Sequence, residues 1–183
     1  MKDYFSILNL SPSLVVTPTE VEAAWRALND SPSDSKSEEA AADWNEARSV
    51  LSDDVLRLDH WIKQQAPDDP ADRSIDPSLM DLFSTIGPAI AETEGVINRQ
   101  KAATTALAKA LLTKEAIAAQ LQIQEMLRKI SSSKSVLIDE FLTFESQAAQ
   151  GEFASSQRAL GQLKFLKRWE EQCQEKLLGL IHS

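Results

Sequence analysis

The chain has 183 residues, of which 43% are hydrophobic and 26% charged, with a formal net charge of −9. That is enough apolar material for one ordinary domain or two small ones, and the acidic balance argues against nucleic acid, whose phosphates need a basic surface. The one cysteine, Cys173, excludes an internal disulfide and any Cys-based metal cluster, and it fits a reducing, cytoplasmic setting.

From the N-terminus, "DYFSILNLSP" gathers Tyr4, Phe5, Ile7, Leu8 and Leu10 in a short apolar segment that stops at Ser11-Pro12. Thr17-Pro18-Thr19-Glu20 then reads as a helix start, with Thr17 as cap, Pro18 at the first helical position and Glu20 completing a capping box. Val21, Ala24, Trp25 and Leu28 line one face of that helix, which is expected to end near Asn29. A polar break, "NDSPSDSK", separates it from a helix striped by Ala40, Trp44, Ala47 and Leu51. A shorter helix carries Val55, Leu58, Trp61 and Ile62 up to the Pro- and Asp-rich residues 66–76, which read as a linker. Trp25, Trp44 and Trp61 are expected in the core.

Beyond Asp76-Pro77 the pattern is one of long helices. Leu79, Met80, Phe83 and Ile86 open the first, which Gly87-Pro88 is expected to kink or interrupt. A second run is expected to about Leu112, and a third from Thr113 to about Ala148 through "SSSKS". Gln150-Gly151 reads as a turn before a last helix from about Glu152 to Leu180. No segment alternates with period two, so the fold class is all-α. On the last helix Leu163, Leu166, Cys173 and Leu177 share an arc, and Phe165 lies far off it, so Phe165 is expected to be partly exposed or to meet a third element.

Charge is uneven: up to Ala66 there are 6 basic and 12 acidic residues, and beyond it 13 and 16. No signal peptide and no membrane span is expected. The two histidines, His60 and His182, are far apart, the carboxylate pairs are adjacent in sequence, and no Gly-rich phosphate loop or CxxC occurs. No catalytic residue, metal ligand or cofactor is therefore assigned, and the protein reads as a non-enzyme.

In order, "DYFSILNL", two helices around a loop, "WNEARSVL" with "RLDHWI", "LMDLF" and "LKFLKRWEEQCQEKLLGL" resemble the J-type co-chaperone HscB. That family presents the iron–sulfur scaffold IscU to a DnaK-type chaperone, HscA. The resemblance implies a J-domain over residues 1–65, a linker at 66–76 and an antiparallel three-helix client-binding and oligomerising bundle at 77–183. It also implies IscU or another client as partner, bound on Leu79, Met80, Phe83 and Phe165. A J-domain carries His-Pro-Asp after a basic helix. Here the ungapped match falls on Ser33-Asp34-Ser35, followed by Lys36, and a shift to use Pro32 gives Ser31-Pro32-Ser33. The preceding helix has Arg26 beside Glu20, Glu22 and Asp30. The chaperone trigger is thus degenerate, and a DnaK/HscA-type chaperone is expected to be engaged weakly or without normal ATPase activation. On the client side, Ser84 and Gly87 stand where the family places carboxylates. A self-associating structural protein, forming a homo-oligomer, stays open as the alternative.

Overall fold

The computed structural model describes residues 1–30, 37–66 and 77–182, and every regular element among them is a helix. In chain order these are α1 (Tyr4–Ile7), α2 (Pro18–Asp30), α3 (Glu38–Ser52), α4 (Asp54–Gln65), α5 (Pro77–Ala102), α6 (Ala106–Asp139), α7 (Phe141–Ala148) and α8 (Ala154–Ile181). The chain divides into two compact units, Met1–Arg73 with Ile138–Leu160, and Ser74–Leu137 with Gly161–Ser183.

In the first unit the helix starts are set by local chemistry. The Asp3 carboxylate accepts the Ser6 N–H ahead of α1, and Ser37 accepts the Ala40 N–H ahead of α3. At α2 the expected capping box is reciprocal: Thr17 N–H donates to the Glu20 carboxylate at 2.7 Å and Glu20 N–H donates to Thr17 Oγ1 at 3.2 Å. Helix α3 packs against α1, α2 and α4. Phe5, Leu8, Leu14, Val21, Ala47, Leu51, Val55, Leu58 and Trp61 are buried, each large side chain stabilising by roughly 1.5–3 kcal/mol. Trp25 and Trp44, expected in the core, are half-buried instead. Trp25 sits on the α2–α3 surface, where its ring lies under the Arg48 guanidinium at 4.3 Å and its Nε1–H donates to Asn45.

The segment Ile138–Leu160 groups with these N-terminal residues although residues 77–183 read in sequence as one bundle. Phe141 and Phe144, one turn apart, are fully buried. Arg57 explains part of the attachment. It is 3% exposed, donates to the carbonyls of Leu14 (3.0 Å) and Leu51 (2.6 Å), pairs with Asp54, and lies 5.9 Å from the Phe141 ring centroid. Glu145 on α7 accepts from Ser13 Oγ and the Leu14 N–H, and Trp61 meets Phe153 at 6.3 Å.

In the second unit α5, α6 and α8 share a core. Leu79, Leu82, Ile86 and Ala89 from α5 meet Ile123, Met126 and Ile130 from α6 and Leu166 and Cys173 from α8. A smaller cluster joins Val96, Ile97, Ala119 and Leu180. Ion pairs Lys134–Glu170 and Lys176–Glu94, both 2.7 Å, tie α8 to its two neighbours.

Three expectations about the long helices are corrected. Gly87-Pro88 does not interrupt α5, which continues to Ala102. Pro88 has no N–H to donate to the Ser84 carbonyl, and both residues are exposed. The expected boundary at Leu112–Thr113 falls earlier, at residues 103–105, because Thr105 caps α6, its Oγ1 accepting the Ala108 N–H. The run expected to reach Ala148 is instead split at Glu140, where no side chain caps α7. "SSSKS" is helical, as expected.

Candidate functional site

Of the four residues expected to bind a client, two meet directly. The rings of Phe83 on α5 and Phe165 on α8 lie 6.0 Å apart, tilted by 52°. Phe165 is 44% exposed, as its position off the apolar arc of α8 requires. Phe83 is half-buried and rests on the core beneath. Met80, one turn before Phe83, is 55% exposed. Leu79 is 7% exposed and belongs to the core cluster, so it supports the helix rather than presenting a surface.

The sequence places these side chains in this way because α5 is apolar on more than one face. Leu79, Leu82, Ile86 and Ala89 point to α6 and α8, which leaves Met80 and Phe83 on the flank. Near the pair, Asp81 and Ser84 on α5 and Lys164 and Arg168 on α8 lie at or near the surface. The site is thus an apolar aromatic pair with a mixed polar surround, and it contains no nucleophile–base arrangement. Phe165 is exposed and Phe83 half-buried, so the pair leaves aromatic surface on the flank of a packed core.

The trigger positions Ser33, Asp34, Ser35 and Lys36 lie outside the described residues. The helix that precedes them is described, and one of its carboxylates, Glu22, carries two ion pairs. Glu22 pairs with Arg26 at 2.9 Å and with Arg48 of α3 at 2.7 Å. Arg48 itself stacks on Trp25. The role of Arg48 as a link between α2 and α3 was not legible in the helical periodicity, although an arginine on the polar flank of a helix facing an exposed Trp is the signal to look for.

Two buried titratable groups, His60 and Cys173, are structural. His60 is buried, and its Nε2 accepts the Tyr4 N–H at 3.3 Å between the rings of Tyr4 and Phe5. Burial holds its pKa below the usual imidazole value. Burial also pushes the Cys173 thiol up to about 11, which keeps it protonated and unreactive. Among the described residues no group of His, Cys, Asp and Glu could hold a metal ion, and no helix is long and apolar enough to cross a membrane. The groove lined by Asp81, Leu82, Thr85, Arg128, Lys129, Ser132 and Ser133 in the second unit is open, with a mixed polar and apolar lining.

No protein-family model matches the chain, and no curated protein matches it in sequence. Among solved structures the chain is similar to the chaperone HscB from Vibrio cholerae. The two are 17% identical, with a TM-score of 0.57, and the match covers 95% of this chain and 96% of that one. At this identity the likeness is one of fold: the chain has an HscB-like, all-helical architecture.

Proposed function

We propose that the protein is a non-enzymatic adaptor of the HscB type, which binds an IscU-like scaffold or another client and does not trigger a DnaK-type chaperone in the normal way. The observation that carries this reading is the exposed Phe83–Phe165 pair. It combines with the ordered resemblance of the sequence and an HscB-like fold. Docking uses Met80, Phe83 and Phe165, with Leu79 holding the helix from below. Helices α5 and α8 of the second unit carry this contact, and residues 1–65 form a J-like part whose trigger positions lack His-Pro-Asp.

The working environment is the cytoplasm, and no cofactor takes part. The test is a calorimetric titration of an IscU-type scaffold into the wild-type protein and into Phe165→Ser. An aromatic at the centre of a docking patch contributes about 2 kcal/mol or more, so the variant should bind at least ~10-fold more weakly at unchanged helicity. Equal affinity for both proteins would remove the patch from the reading. A stable homodimer that Phe165→Ser dissolves, seen by sedimentation, would favour self-association instead.

A further inference from the structure

The patch of Met80, Phe83 and Phe165 is bordered by charge on one side only. On α5 the flank that carries Met80 and Phe83 continues with Ser84, Gly87 and Ala91, none of them charged. The nearby carboxylates of this helix turn away: at 100° per residue Asp81 lies about 160° round from Phe83, and Glu92 about 180°. Asp81 lines the groove that Arg128 and Lys129 of α6 also line. Glu94 does return to the flank of Phe83, but Lys176 takes it up at 2.7 Å.

The α8 border is cationic. Arg168 follows Phe165 by three residues, about 60° round the helix and ~4.5 Å along it, so the two side chains are surface neighbours. It is exposed. The other two arginines of the second unit are paired, Arg99 with Glu115 and Arg128 with Glu125, both at 2.7 Å. Arg168 forms no ion pair among the described residues. Lys164, just before Phe165, is a second cation, about 100° round from it. Glu171 stands one turn beyond Arg168 and about 120° round from Phe165, on the far side of the arginine. The two do not pair, and an arginine that precedes its carboxylate is in the weaker order on a helix.

This border selects what the patch receives. Arginine beside an aromatic is a combination that carries binding energy at protein interfaces, and its planar fork matches a carboxylate with two hydrogen bonds. Its aliphatic stem also extends the apolar surface next to Phe165. A partner that brought a cation to this edge would set like charges together. An anionic membrane fits poorly, because the chain as a whole carries a net charge of −9.

We propose that Arg168 is a specificity-determining residue of the client patch: the protein surface that docks on Phe83 and Phe165 carries an aspartate or glutamate beside its apolar contact, and Arg168 engages that carboxylate. This deepens the client reading and rests on it.

Stopped-flow mixing of the full-length protein with a dye-labelled IscU-type scaffold tests it, because a charge at the rim of an interface acts mainly on encounter. Arg168→Glu should slow association by ~5-fold or more at low salt and leave dissociation nearly unchanged. High salt should bring wild type and variant together, and Arg168→Lys should keep most of the wild-type rate. Lys109→Glu makes the same charge change on α6, outside the patch, and should alter association by less than ~2-fold. Arg168 and Lys109 are exposed, so all three variants should keep wild-type helicity by circular dichroism. Phe165→Ser should instead speed dissociation and retain the salt dependence of association. Failure of the Arg168 role and failure of the apolar patch therefore appear in different rates.

The proposal is overturned, with the patch left standing, if binding depends on Phe165 while Arg168→Glu associates as fast as the wild type, faster, or no slower than Lys109→Glu. If the scaffold does not bind, or Phe165→Ser changes neither rate, the client reading fails and the proposal falls with it. Phosphatidylserine vesicles that bind in an Arg168-dependent way, or self-association that Arg168→Glu abolishes, each without scaffold binding, would give this edge to a membrane or a second copy and overturn it as well.

Discussion

His60 shows how a single buried side chain links the fold to pH. Its Nε2 must be unprotonated to accept the Tyr4 N–H, and the rings of Tyr4 and Phe5 exclude the water that would solvate an imidazolium. Desolvation lowers the pKa; Asp3 and Asp59 pull it back up, while Lys63 adds to the lowering. The unfolded chain takes up a proton near the ordinary imidazole value of about 6.5 and the folded chain resists doing so. Stability from this group is therefore full above that pH, is lost as the pH falls toward the folded value, and levels off below it. Urea midpoints measured between pH 7.5 and 5 should decline for the wild type. They should decline less for His60→Gln, which keeps an acceptor and cannot titrate in this range; identical slopes would show that other groups dominate.

Residue-level exposure was partly legible in the sequence. The helical wheel put Phe165 off the core arc because 100° per residue is a reliable geometry along one helix, and the ring is indeed half-exposed. Leu79 was harder. Resemblance grouped it with Met80 and Phe83, but only the packing of three helices decides which flank of α5 is covered. The same holds for Trp25 and Trp44, whose apolar bulk suggested the core and which are half-buried. Arg57, with no distinguishing neighbour in sequence, turned out to be a buried hub because two backbone carbonyls and Asp54 converge on its guanidinium.

At the scale of elements, helix starts with a side-chain signature were readable and breaks without one were not. The Thr17–Glu20 box satisfies two backbone donors, one of them the Thr17 N–H that precedes α2. Its loss in Thr17→Ala should cost about 1 kcal/mol in urea unfolding, without change in the client affinity. A cost near zero would mean that water replaces the cap. By contrast, "AATTA" at 102–106 has neither Gly nor Pro, so the boundary between α5 and α6 rests on the weak cap at Thr105. The break at Glu140 has no side-chain cap at all. Helix α7 also shows what periodicity leaves out: it reveals that Phe141 and Phe144 share a buried face, but not that this face belongs with Arg57 and the N-terminal residues.

The whole molecule has an HscB-like, all-helical fold. The aromatic pair Phe83–Phe165 is the client surface proposed above. The α2 helix is acidic, with Glu20, Glu22 and Asp30 against Arg26, and Glu22 takes up the charge of both Arg26 and Arg48. A chaperone face that is itself acidic would be repelled rather than steered in. The residues proposed to match His-Pro-Asp, Ser33-Asp34-Ser35 or with a shift Ser31-Pro32-Ser33, include no histidine. The central claim, an adaptor that holds its client without firing the chaperone, is tested most directly by steady-state ATP hydrolysis. A DnaK-type chaperone is assayed with an IscU-type scaffold, with and without an excess of the protein. No rise above the rate of chaperone plus scaffold is expected; stimulation of the size an ordinary J-protein produces would contradict the claim.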